Sequence, residues 1–218
     1  MVAIRVEFKK EGRAKYISHL DLNRCMQRAL RRAQIPIWRT QGFNPHPYIV
    51  FAMPLSLFYE SDCEIMDARL DAEMPLDEVK HRLNSQLPEG IVINNVFLPQ
   101  MKLADVGLAE YSVTLDFDVK NKAEIEKILS DITALPEIII EKSTKRHTVD
   151  INIKEYFDTA EMEAFDGGLN LKAILPTGSQ ENLNPSCFTA AFEKYGIKPD
   201  FVHVRRLQLF NSDKQTFL

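Results

Sequence analysis

The hydrophobic repeat changes period several times along this chain, and the order of those changes limits what it can fold into. Val2, Ile4, Val6 and Phe8 alternate with Ala3, Arg5 and Glu7, the two-residue period of a strand. After a polar turn from Lys10 to Ala14 the period becomes 3.6, and Leu22, Cys25, Met26, Ala29, Leu30 and Ala33 share one helical face. Ser18 with Asp21 three residues on is a capping-box start for that helix. Pro36 ends it, because the ring disfavours helical geometry in the residue before.

The pattern then returns to strands. Ile37-Trp38-Arg39 reads as a short strand, Gln41 to Pro47 as a Gly/Asn/Pro loop, and Tyr48 to Met53 and residues 61–71 as further strands. Pro75 to Leu87 is a helix with Leu76, Val79, Leu83 and Leu87 inward, and Ile91 to Leu98 is a strand. That order is β-α-β-β-α-β with an extra hairpin strand, the split βαβ pattern of ferredoxin-like folds. The second half repeats it. Glu110 to Val119 is a strand, Lys122 to Leu135 a helix with Ile125, Ile128, Leu129 and Ile132 inward, and Glu137 to Glu141 and Thr148 to Ile153 are strands. Gly168 to Leu175 is another, Pro185 to Tyr195 a helix, and Phe201 to Phe210 the final strand. The expected class is α+β: two ferredoxin-like units with antiparallel sheets and helices on one face. Residues 1–102 form the first, with the basic helix and the Gly/Asn/Pro loop, and residues 103–218 the second.

Charge decides where to look for function. The net charge is −4, yet residues 1–48 hold ten Lys/Arg against three acids, a local +7, and the remainder carries −11. A basic first quarter invites an anionic partner such as a nucleic acid. No apolar run reaches the roughly 18–20 residues that span a bilayer, and the start of the chain lacks a signal peptide's layout. The expectation is a cytoplasmic protein with no membrane association. Cys25, Cys63 and Cys187 are an odd number at wide spacing, which argues against a disulfide framework and against a zinc or iron–sulfur site built by this chain alone.

On the first helix, Arg24, Arg28, Arg31 and Arg32 fall in one stripe about 100° wide, opposite the apolar face. Four guanidiniums on one face repel one another unless something anionic lies across them, either neighbouring acids or a ligand. In the loop Gln41-Gly42-Phe43-Asn44-Pro45-His46-Pro47, two prolines and a glycine hold Asn44 and His46 in place. Amide and imidazole groups beside a basic helix suit a base edge or a phosphate, or else satisfy the loop's own backbone. Phe43 and Trp38 are candidates for base stacking or for core packing. Gly178-Ser179 before Asn184-Pro185 is a plain turn and cap or a small anion site. His81, His147 and His203 have no partner pattern.

These residues also carry a resemblance. Lys15-Tyr16-Ile17-Ser18-His19-Leu20-Asp21, Arg24, Arg28-Ala29-Leu30-Arg31-Arg32-Ala33 and Gln41-Gly42-Phe43-Asn44-Pro45-His46-Pro47 resemble the signature of the bacterial radical SAM-linked family of uncharacterised proteins. Pro54-Leu55-Ser56-Leu57 is similar to its next strand end, although Phe58 and Tyr59 stand where a small residue such as Gly is expected. Val149-Asp150-Ile151, Thr177-Gly178-Ser179, Asn182-Leu183, Pro185 and Arg205-Arg206-Leu207 resemble its C-terminal stretches. The resemblance implies a protein fused to, or encoded beside, a radical SAM enzyme with a cobalamin-type domain. It does not imply a reaction, and the N-terminal motif is also similar in style to ferredoxin-like RNA-binding proteins of CRISPR systems.

The chain lacks a Cys-x₃-Cys-x₂-Cys set, a Walker loop, a G-x-S-x-G elbow and an H-E-x-x-H pair. The leading expectation is therefore a non-catalytic RNA-binding accessory protein, without cofactor or metal, that presents tRNA or rRNA to a separate radical SAM enzyme docked on its acidic half. Its RNA-binding residues are Lys15, His19, Arg24, Arg28, Arg31, Arg32, Arg39, Gln41, Asn44 and His46. Two alternatives stand beside it. One is a metal-independent ribonuclease using His19 and His46 as acid and base. The other is an adaptor whose arginine face meets an acidic surface of the partner enzyme.

Overall fold

The computed structural model describes residues 1–118, 120–143, 148–178 and 181–218, so the readings made at Val119, His147 and Ser179 lie outside the described residues. The fold is α+β, built on mostly antiparallel strands, with five α-helices among the described residues. The chain divides into two compact units. The first comprises Met1–Gly107 with Arg206–Leu218, the second Leu108–Arg205.

In the first unit, β1 (Val2–Lys10), α1 (His19–Arg32), β2 (Ile49–Phe51), β3 (Glu60–Leu70), α2 (Leu76–Asn84) and β4 (Ile91–Phe97) follow in order. Strands run β4-β1-β3, with β2 paired to β3. Val2, Ile4 and Val6 register with Leu70, Ala68 and Met66, so these side chains share one sheet face. Ile4, Val6, Phe8, Met66, Ala68 and Leu70 on that face pack with Leu22, Met26, Ala29 and Leu30 of α1 and Val79 and Leu83 of α2. The helical period read from the sequence is thus the buried stripe of α1, and each fully buried Leu or Met there contributes about 1.5–3 kcal/mol.

The other face of β1 is not simply a solvated one. Arg5 is 0% exposed. Its guanidinium donates to both carboxylate oxygens of Asp67, at 2.7 and 2.9 Å, and to the carbonyls of Leu218 and Met101, at 2.8 and 2.9 Å. A second buried pair joins Arg206 and Glu64 at 2.9 Å. Lys10 is buried near it and donates to the Ile17 carbonyl at 3.3 Å, and burial pulls its pKa down.

The second unit holds β5 (Val106–Asp116, from Leu108 on), α3 (Lys122–Thr133), β6 (Ile139–Ser143), β7 (Thr148–Asn152), α4 (Lys154–Thr159), β8 (Glu161–Phe165), β9 (Gly168–Pro176), α5 (Ser186–Tyr195) and the first five residues of β10 (Phe201–Asn211). β5, β9 and β8 pair in that order, and β6 pairs with β7 in a separate hairpin. Phe117, Phe157, Phe188 and Phe192 are buried, with ring centroids 5.2–6.3 Å apart.

Several expected elements change. Ile37-Trp38-Arg39 is no strand, only isolated bridges from Ile37 to Leu70 and from Arg39 to Pro47. Pro36, Pro45 and Pro47 carry no N–H, so a ladder cannot extend through them. The helix expected over Pro75 to Leu87 is the shorter α2, and the strand expected from Glu137 starts at Ile139. α4 and β8 had no counterpart in the reading, because six residues are too few to establish a helical period. β8 had a usable signal. Asp166-Gly167 separates the registered pair Phe165 and Gly168, the two-residue hairpin connection that an Asp-Gly pair marks. No helix among the described residues is long and apolar enough to cross a membrane.

Candidate nucleic-acid interface

The site grows from the start of α1. The Ser18 hydroxyl accepts from the Asp21 N–H at 3.1 Å and donates to the Asp21 carboxylate at 2.7 Å. With Leu22, Met26 and Ala29 held in the core, Arg24, Arg28 and Arg31 are forced outward and are exposed. The loop after α1 meets them. Thr40 N–H donates to the His46 carbonyl at 2.9 Å, and His46 N–H donates to the Thr40 hydroxyl at 3.2 Å. His46 Nδ1 lies 3.1 Å from both the Thr40 hydroxyl and the Asn44 carbonyl. A carbonyl only accepts, so the Asn44 contact requires Nδ1–H and leaves Nε2 as the acceptor, or as a second donor once the ring is protonated.

Gly42 makes the turn at φ +138°, a region open essentially to glycine. A Cβ there would meet nothing within 4 Å, so the requirement is conformational and not spatial. Gly42→Ala is expected to cost about 1–3 kcal/mol, read as a lower urea midpoint at unchanged m value. An unmoved midpoint would show that the loop relaxes without penalty.

Helix and loop enclose an open groove of about 210 Å³, lined by Arg24, Gln27, Arg28, Arg31, Arg39, Pro45, His46 and Pro47. Among the described residues no acidic side chain lines it. Among the described residues Arg24 reaches Asp21 at a loose 3.5 Å, and no acid pairs with Arg28, Arg31 or Arg39.

Five of the ten expected residues therefore converge: Arg24, Arg28, Arg31, Arg39 and His46. Five do not line the groove. Arg32 turns away and donates to the Gln86 carbonyl at 2.6 Å. His19 packs edge-on against Phe51, centroids 5.1 Å apart. Lys15 lies over the Tyr16 ring at 5.5 Å. Gln41 and Asn44 are exposed on the loop beside the groove, where the Asn44 carbonyl orients His46. Phe43 is fully exposed, whereas Trp38 packs with Tyr48 beneath the Arg69 guanidinium. Gln27 and Thr40 were missed. The helical wheel had the signal for Gln27, which sits about 40° from Arg31; Thr40 had none, since its role depends on His46 folding back.

The three cysteines are not set up as nucleophiles. Burial pushes the Cys25 thiol up against the pull of Arg32 and Arg28. It pushes Cys63 and Cys187 up to about 12. Cys187 lines a larger pocket of about 550 Å³ in the second unit, with Ile140, Ile151, Leu183 and Ala190. Its lysine, Lys142, donates to the Asn182 carbonyl. A buried neutral thiol is a poor nucleophile.

A family model described as an uncharacterized protein conserved in bacteria (DUF2344) matches residues 3–185, a span that includes every residue of the groove. No curated protein matches the chain.

Proposed function

We propose that this chain, which belongs to that family of bacterial proteins (DUF2344), is a non-catalytic RNA-binding protein whose arginine groove holds tRNA or rRNA. The observation that carries the reading is the groove itself: four guanidiniums and one oriented imidazole converge without an acidic side chain among them. Arginine forks donate to phosphate oxygens in a bidentate geometry that water-exposed carboxylates of the same chain would otherwise occupy. Arg24, Arg28, Arg31 and Arg39 take phosphates. His46, with Gln41 and Asn44 beside it, orients a sugar or a base edge. Cleavage by a His19/His46 pair needs both imidazoles at one phosphate, and His19 packs on Phe51 instead of lining the groove. We therefore assign holding and not cutting.

The same reading takes the units as ferredoxin-like, with a boundary near residues 102–103 and the last strand completing the second. The strand order β4-β1-β3 with β2 on β3, and the order β10-β5-β9-β8, support it. It further takes the protein to act in the cytoplasm and to present the bound RNA to a radical SAM enzyme docked on the acidic second half.

Binding of a single-stranded RNA oligonucleotide across 50–300 mM salt tests the groove. Four phosphates neutralised by four arginines predict log K falling against log salt with a slope of about −3. A partner captured from lysate with an affinity indifferent to ribonuclease, and no slope with RNA, would transfer the groove to an acidic protein surface.

A further inference from the structure

Beyond the groove, the exposed aromatic pair Tyr16 and Phe58 has no folding role that explains it. Tyr16 is 60% exposed and Phe58 58%. Their rings meet edge to face, centroids 5.9 Å apart at 72°. Phe58 holds this place in a left-handed backbone conformation, φ +71°, which is strained for a bulky non-glycine residue. The strained turn is fixed by the Phe58 N–H, which donates to the Lys15 carbonyl at 2.9 Å. A residue that is strained and left in water repays neither cost through the core.

The surroundings indicate what the ring is for. Lys15 sits over the Tyr16 ring at 5.5 Å, putting a cation beside the aromatic surface. Tyr16 lies two residues before the Ser18 cap of α1. In the first turn of that helix Leu20, 58% exposed, begins the row Leu20-Arg24-Arg28, spaced four residues apart, which leads into the groove. An apolar patch alone would fit a protein partner. An aromatic ledge flanked by a lysine, at the head of an arginine row, has the alternation of stacking surface and phosphate-binding cations that a single-stranded nucleic acid needs.

We infer that Tyr16 and Phe58 form a stacking platform for an unpaired nucleobase of an RNA strand whose phosphates run along α1 into the groove. This rests on the RNA-binding reading and names the form of RNA it takes: a single-stranded segment or a splayed loop, not a continuous duplex.

Phe58→Gly is the decisive variant, because glycine adopts φ +71° without strain. It removes the ring while holding or raising the melting temperature. The probes are a single-stranded RNA 12-mer carrying one 2-aminopurine and a blunt duplex of the same length. With the single strand, Phe58→Gly should lose roughly 5- to 100-fold in affinity and lose the quenching that stacking gives the 2-aminopurine. Duplex affinity should change less than about twofold. Tyr16→Ala should reproduce the loss, which guards against a turn rearranged by Phe58→Gly. Wild type and both variants binding the single strand equally would overturn the platform and leave the groove standing. Wild type binding neither probe would overturn both. Unchanged RNA binding with loss of a captured protein would assign the ledge to that protein.

Discussion

Reversing two charges of the groove, Arg28→Glu with Arg31→Glu, is expected to weaken single-stranded RNA binding by roughly two orders of magnitude near 150 mM salt. Two counterion-releasing contacts disappear, and two carboxylates now face the phosphates that remain. The fold should survive. Both positions are exposed, and substitutions at such sites usually move stability by no more than about 0.5 kcal/mol. Arg31 stands in the last turn of α1, where exchanging a cation for an anion against the helix dipole adds about 0.3–1 kcal/mol more. Arg32→Glu separates geometry from bulk charge. Its guanidinium is committed to the Gln86 carbonyl, so the single reversal should cost binding far less than Arg28→Glu alone. Equal losses for Arg28→Glu and Arg32→Glu would mean that RNA responds to the net charge of the region and not to the groove.

That contrast marks the limit of what the helical wheel discloses. Four arginines in one stripe are legible because α1 is amphipathic and its core face is unambiguous. Which of the four face the loop depends on where α2 ends, a tertiary fact that no local period encodes. The loop shows the same division. Gly42 and the two prolines announce a rigid turn, but the lock between Thr40 and His46 arises only once the chain has folded back. Phe58 is a further case. The resemblance leads to a small residue such as glycine being expected at Phe58 and Tyr59, and Phe58 stands at φ +71°, a conformation that glycine adopts without strain. The least legible residues are the buried charges. Arg5 in an alternating strand reads as a residue of the polar face, and period alone does not show that this face is covered.

Removing that buried cation should produce a large stability change. The Arg5 guanidinium makes a bidentate pair with Asp67, donates to the carbonyls of Met101 and Leu218, and lies 4.6 Å from the Phe217 ring centroid. In Arg5→Ala the Asp67 carboxylate, 23% exposed, keeps its charge and loses its partner. Stranding one member of a buried pair costs about 3–5 kcal/mol. The Leu218 carbonyl is partly compensated, since it still accepts from the Met101 N–H at 3.1 Å and the Gln100 N–H at 3.3 Å; the carboxylate is what dominates the loss. Arg5→Lys keeps the charge but not the fork, so it should recover only part of it. Arg5→Met with Asp67→Leu removes both charges and should be less destabilised than Arg5→Ala, an inversion that only a true pair produces. Urea unfolding of the three variants measures this directly. Arg5→Ala within about 1 kcal/mol of wild type would show that water reaches Asp67 and that Arg5 does not hold this face together.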